Sequence, residues 1–313
     1  MEKIPFAERM QGCIAGQSIA DGIAFLLHGH SLETIVEWAD SEVLSWLSGQ
    51  EIPDALYISD GTQLSWDLLG LFHETGTFEP HAFANRLAWR VSKNRLMGRY
   101  AETHFAAKNL RNPRDWRVAG VQSLGSGGVH RAPVIGTLFH DRPADLMKAS
   151  QEQSMITHKS PLAMATSMLV SDLVAKICNG EVGPDAEVLP IAIPHHSPEL
   201  ESVMAHIPSL LGLEPSAART QVVQMVDADT QGSVLPDHVI ASVMWCFYCV
   251  LTSRWDYARS LQLALKGGGN DCTSGLGWGD VRSSRKACVA FLETFFERSQ
   301  TKALSAPIEF WRS

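Results

Sequence analysis

Ile58-Ser59-Asp60-Gly61-Thr62-Gln63-Leu64-Ser65-Trp66-Asp67-Leu68-Leu69 joins a short polar knot to an amphipathic run. Leu64, Leu68, Leu71 and Phe72 recur at the spacing that lines one face of a helix. Ser59 or Asp60 suits the N-cap, and the helix is expected to end near His73. The knot sets a hydroxyl, a carboxylate and a second hydroxyl at a helix N-terminus. Two readings stay open: a capped helix and nothing more, or an oxygen-rich site for Mg²⁺ or a phosphate.

Working outward, helical patterning dominates. Phe6 to Leu27 reads as a first helix, dense in small residues (Gly12, Ala15, Gly16, Ala20, Gly22, Ala24), with Asp21 in its middle. Each glycine costs a helix about 1 kcal/mol relative to alanine, so this density implies close packing against a helix or a ligand. A buried Asp21 would require a metal, a hydroxyl or backbone N–H groups as partners. A short helix carries Trp38, Val43, Leu44 and Trp46, and Pro80 to Phe105 continues the pattern. Arg86, Arg90, Arg95 and Arg99 there are spaced as a solvated face rather than an anion site. Ser160 and Pro161 open a clean amphipathic helix over Leu162 to Cys178. Four prolines between Gly180 and Pro198 mark a loop that includes His195-His196. Helices follow at Glu199 to Leu211, Pro215 to Asp227, Pro236 to Leu251, Trp255 to Lys266 and Ser284 to Ser299. No useful strand alternation and no fixed-period repeat occurs, so the fold class is all-α.

Bulk properties narrow the function. The chain has 313 residues, 45% hydrophobic and 19% charged, which supports a substantial core. Its net charge of −8 and lack of a Lys/Arg stripe argue against a nucleic-acid partner. Polar interruptions at Gln17, Ser18 and Asp21 and the acidic Glu2 and Glu8 argue against a signal peptide. No unbroken apolar run reaches about 18 residues, so no membrane span is expected. The six cysteines sit mostly in apolar helical pattern, as reduced thiols of a cytoplasmic protein would. Cys246-Phe-Tyr-Cys249 has redox or zinc spacing but no second pair near it, and reads as core packing.

Two further stretches carry chemistry. Leu124 to Gly136 is glycine-rich, and Gly125, Gly127 and Gly128 would let backbone N–H groups approach an anion. It is not a Walker A loop, because no Gly-Lys-Ser/Thr follows. His158 precedes the helix opened by Ser160, at an N-terminus that favours phosphate.

In order, these pieces resemble the ADP-ribosylglycohydrolase family, Mg²⁺-dependent enzymes typified by the dinitrogenase-reductase-activating glycohydrolase. The resemblance runs from about Arg9 to Gly277. The family's Arg-x-x-Gly-x-x-x-Gly segment and Gly-Asp step correspond to Arg9, Gly12, Gly16 and Ala20-Asp21. Thr-Asp-Asp-Thr-Gln corresponds to Ser59 to Gln63, and Gly-Asn-Gly-x-x-Met-Arg-x-x-Pro to Gly125 to Pro133, which is one residue shorter between its Arg and Pro. Thr-His-x-x-Pro corresponds to Thr157 to Pro161, and Gly-Gly-Asp-x-Asp-Thr to Gly268 to Thr273.

What the resemblance implies is a single compact helical domain over residues 1–313, with its core at about 6–299. It also implies a cleft for ADP-ribose or an ADP-ribosylated protein. The family's two Mg²⁺ ligand sets fall on Ser59, Asp60 and Gly61, and on Asn270, Cys272 and Thr273, so one of four carboxylates survives. Glycine offers no ligand and a thiol suits a hard cation poorly. The family's acidic residue seven positions beyond the Gly-Asp step falls on His28. The expectation is therefore a degenerate member, a pseudoenzyme with no cofactor or one weakly held Mg²⁺. Ser59, Asp60 and Thr273 are its residual metal ligands. Gly125, Ser126, Gly127, Gly128, Arg131, His158 and His28 are its ligand-binding residues, and a protein partner is a further expectation. The alternative is an active hydrolase using one metal or none, with Asp60 and Asp21 as acid–base residues.

Overall fold

The computed structural model describes residues 5–48, 56–98, 101–111, 115–183, 197–226 and 235–268. Among these, the regular structure is helical, and one isolated parallel bridge joins Val121 to His158. Helix α1 spans Phe6–Leu27, as the sequence predicts, followed by α2 (Leu32–Ser41) and α3 (Val43–Leu47). The polar knot opens α4 (Asp60–Thr75), with Ser59 in the N-cap position and Gly76 ending the helix at φ 72. The predicted helix over Pro80 to Phe105 is two helices, α5 (Pro80–Ser92) and α6 (Ala101–Asn109). Left-handed backbone at Asn94 (φ 52) and Gly98 (φ 89) divides them.

Next come α7 (Trp116–Ala119), α8 (Gly127–Leu138), α9 (Pro143–Met155) and α10 (Pro161–Asn179). The glycine-rich stretch is thus largely helical, forming α8, with Pro133 inside it. The predicted Glu199 to Leu211 helix divides into α11 (Pro198–Met204) and α12 (Ile207–Leu210). The described chain ends with α13 (Pro215–Met225), α14 (Val239–Thr252) and α15 (Tyr257–Leu265). His195-His196, Arg99, the Ser284 to Ser299 helix and the Asn270 to Thr273 motif lie outside the described residues.

Helix α8 organises the packing. Every residue from Gly128 to Leu138 is buried, because α1, α4, α9 and α10 all pack on it. A helix covered on all sides needs no polar stripe. Val129 and Ala132 enter one apolar cluster, with α1, α10 and α14. Val134, Ile135 and Leu138 enter a second, with Leu64 and Leu68 of α4. At Gly136 an added Cβ would lie 2.5 Å from the Ser171 carbonyl oxygen and 2.7 Å from Val174 Cβ, so α8 and α10 cross at backbone contact.

Helix α10 is long and apolar enough to cross a membrane, but it is buried among α8, α9 and α14. Arg90 pairs with Asp67 through two guanidinium nitrogens, Arg86 lies 3.6 Å from the same carboxylate, and Arg95 stacks on Trp89. Arg86 and Arg90 therefore brace α4 against α5. Cys246 and Cys249 are buried thiols in α14. Burial pushes the Cys246 thiol up to about 12 and holds Cys249 well above the usual thiol range, so neither is a reactive thiolate.

Candidate functional site

The N-termini of α4, α8 and α10 converge. Between them is a cavity of about 10 Å³ lined by Asp60, Gly61, Thr103, Ser126, Gly127, His130, Arg131, His158 and Asp237. That is roughly the space of one water molecule.

Asp21 positions the first wall. It is fully buried on α1, and its Oδ2 accepts hydrogen bonds from Ser59 N–H (2.7 Å) and Ser59 Oγ (3.0 Å). The partners expected of a buried Asp21 are thus a hydroxyl and a backbone amide. Ser59 holds the N-cap position, but its hydroxyl turns to Asp21 rather than to the α4 amides. Asp21 itself does not line the cavity; it fixes where Asp60 begins.

Asp60 is 2% exposed, and its Oδ2 has no hydrogen-bond partner. Burial pushes its carboxyl up to about 7, against the pull of the Thr103 hydroxyl and the Arg131 charge. Burial likewise pushes Asp21 up to about 6, opposed by the Thr62 and Ser59 hydroxyls. Thr62 stands near without a well-directed hydrogen bond, and Asp21 Oδ1 is left without one.

Both folded-state values lie above the unfolded one, so the two carboxyls favour the folded chain most when protonated. Their contribution is complete below about pH 4 and is lost as pH rises through 6 and 7, on the order of a few kcal/mol. The urea midpoint is expected to fall between pH 5 and pH 8. Asp60→Asn should raise it at pH 8 and flatten the slope. A midpoint that climbs over that range, equally steeply in the variant, would contradict the assignment.

The second wall is α8. Arg131, fully buried, donates from Nε to Gln153 Oε1 (2.8 Å) and from Nη2 to the Gln153 carbonyl (3.1 Å) and Thr157 Oγ1 (2.6 Å). Burial lowers its pKa to about 10, opposed by Asp60, so it stays charged at neutral pH. Thr157 Oγ1 also bonds His158 Nδ1 at 2.9 Å. Cβ atoms at Gly125 or Gly127 would lie 3.1 Å from His158 Nε2 and 2.6 Å from its Cε1, so this ring lies directly under the loop. Burial, with Arg131 next, holds His158 down at about 3, so it is a neutral imidazole and not a cation for phosphate.

Three lining residues escape the sequence reading. Thr103 comes from α6 and carries no motif. Asp237 precedes α14 and accepts from Ser126 N–H (3.0 Å) and Ser126 Oγ (2.9 Å). His130 places Nε2 3.1 Å from Ser126 Oγ, one helical turn on. A Cβ at Gly61 would lie 2.6 Å from His130 Nδ1 and 3.1 Å from its Cβ, so the imidazole fills the space beside Gly61. His28 sits exposed at the C-cap of α1, away from the cavity, and Gly125 and Gly128 support the loop without lining it.

Three motifs distant in sequence, at Ser59, Ser126 and Thr157, thus build one site. A model of the ADP-ribosylglycohydrolase family matches residues 2–279. The chain belongs to the ADP-ribosylglycohydrolase family. A solved structure described as an "ADP-ribosylglycohydrolase-related protein complex" is similar over 94% of this chain and 99% of its own, with 16% identity and a TM-score of 0.59. At that identity the likeness is one of fold. A comparison with curated proteins finds no match. Within the family frame, Ser59 to Gln63 starts α4, Gly125 to Pro133 starts α8 and Thr157 to Pro161 starts α10. Arg9, in the opening family segment, donates to the Cys178 carbonyl at 2.6 Å and ties α1 to the end of α10. Among the described residues, no group of three His, Cys, Asp or Glu side chains is arranged to hold a metal ion.

Proposed function

We propose that this family member lacks efficient two-Mg²⁺ hydrolysis and acts by binding ADP-ribose or an ADP-ribosylated protein. The observation that carries the reading is the His130 ring over Gly61, where the family motif places a metal-binding carboxylate. A pair of Mg²⁺ ions does not fit the described side chains. Among the described family-motif ligand positions only Asp60 is a carboxylate, the Asp237 oxygen in the cavity wall is already bonded to Ser126, Arg131 lies beside Asp60, and imidazole holds the neighbouring space. Hard divalent cations take six or more oxygen ligands, so one carboxylate with Ser59 leaves at most a weak single Mg²⁺. The partners this reading implies are ADP-ribose and proteins that carry it.

Calorimetric titration tests this directly. Magnesium chloride added to the wild-type protein is expected to show no pair of tight sites, and ADP-ribose is expected to bind equally well with Mg²⁺ or EDTA present. Two stoichiometric Mg²⁺ sites, or ADP-ribose binding that vanishes in EDTA, would refute it.

One observation favours the second reading, a hydrolase that works with one metal or none. Asp60 is pushed up to about 7 beside room for one water, the range in which a carboxyl can both take and give a proton near neutrality. Release of ADP-ribose from modified arginine or serine peptides by the wild type, lost in Asp60→Asn, would establish it.

A further inference from the structure

Helix α8 is twelve residues long, and the amides of its first turn have no intrahelical acceptor, so its N-terminus attracts negative charge. That end is already engaged. Asp237 Oδ1 accepts from both Ser126 N–H and Ser126 Oγ, the two donors that an anionic oxygen at this N-cap would take. Asp237 is solvent-exposed, on the short segment ahead of α14, and the Val239 N–H to Leu124 carbonyl bond (2.6 Å) holds that segment against the loop. Independently, the buried Asp60 lines the same cavity and its Oδ2 has no hydrogen-bond partner, which leaves it open to a donor group from outside the chain.

We propose that the Asp237 carboxylate is a resident stand-in for a ligand's phosphate, and that a phosphate-type anion reaches the α8 N-terminus by displacing it. A phosphate and a carboxylate cannot share the Ser126 donors, since like charges at hydrogen-bond range repel strongly. Asp237 can leave because water waits on its outer side, whereas Arg131 and Asp60 are locked in the interior. The ligand class is one that brings an anion to Ser126 and a neutral hydroxyl to Asp60, a phosphorylated sugar. This deepens the ADP-ribose reading and rests on it for the identity of the sugar, but not for the anion.

The test is calorimetry with inorganic pyrophosphate and, separately, ADP-ribose, at fixed ionic strength, on wild type, Asp237→Ala and Asp237→Asn. Circular dichroism melts verify folding. Asp237→Ala is expected to bind pyrophosphate at least ten-fold more tightly than wild type. Asp237→Asn should fall between them, because its amide oxygen still accepts from Ser126 without the charge; if the alanine variant unfolds, the asparagine variant carries the comparison. Equal or weaker pyrophosphate binding in both variants, or none, would overturn the proposal. Tighter pyrophosphate binding with no response to ADP-ribose would uphold it and sink the ADP-ribose reading instead.

Discussion

Arg131→Met is expected to destabilise the protein by about 3–5 kcal/mol, read as a drop in urea unfolding free energy at pH 7. The side chain is fully buried, and its three hydrogen bonds end on Gln153 and Thr157, which are themselves buried. Methionine fills much of the volume but leaves the Gln153 oxygens and Thr157 Oγ1 without their donor, each a desolvated group with a penalty of roughly 1–3 kcal/mol. It also removes the cation beside Asp60, so the Asp60 carboxyl should shift further upward and bind its proton at higher pH. A second background separates these causes. In Asp60→Asn, Arg131→Met should cost less, because no ionisable carboxyl remains beside it. A loss under about 1 kcal/mol in the wild-type background would show that Arg131 is not the keystone of this wall. Arg131 reaches the loop only indirectly: its donors serve Gln153 on α9 and Thr157, whose hydroxyl also bonds the His158 ring beneath Gly125 and Gly127.

Much of this was legible from the residues, for identifiable reasons. The α1 boundaries and the α4 start were readable because small-residue packing and a polar cap leave direct marks in sequence. The fold class followed from helical periodicity with no alternation to compete. Helix α8 leaves little mark in the sequence because Gly127, Gly128, Gly136 and Pro133 are poor helix formers. Tertiary burial on every side, and backbone contact with α10, override that propensity. The break between α5 and α6 was hidden because Asn94, a residue that tolerates left-handed backbone, looks like any polar helix position. Helix α9 went unassigned; its apolar face is short, with Leu146 and Ala149 its main core contacts. Within the site, family motifs located Asp60, Ser126, Gly127, Arg131 and His158. Asp237 and Thr103 enter from elements with no motif, so only the tertiary structure places them there. His130 lay inside a motif but at a position the motif leaves to methionine, and its role depends on what is missing at Gly61.

That dependence yields the second large effect. Gly61→Asp is expected to destabilise the protein and, with His130 intact, to recruit no Mg²⁺. Replacing glycine in a helical first turn normally gains up to about 1 kcal/mol. Here the new Cβ would lie 2.6 Å from His130 Nδ1, and the obstruction includes His130 Cβ at 3.1 Å, so rotating the ring alone does not clear it. Overpacking of this kind costs about 1–3 kcal/mol, and a second desolvated carboxylate beside Asp60 adds to it, so the sign is a net loss. Replacing His130 with alanine removes the 2.6 Å ring contact and leaves only the 3.1 Å Cβ contact, so Gly61→Asp should then cost less. The double-mutant cycle by urea unfolding should show coupling above 1 kcal/mol between positions 61 and 130. The metal readout follows the same logic. Adding Asn270→Asp and Cys272→Asp to Gly61→Asp should restore Mg²⁺ binding in calorimetry only when His130 is also replaced, because the carboxylate and the imidazole claim one volume. If Gly61→Asp is as stable as wild type, or if the three aspartates bind Mg²⁺ with His130 in place, the histidine is not what excludes the metal.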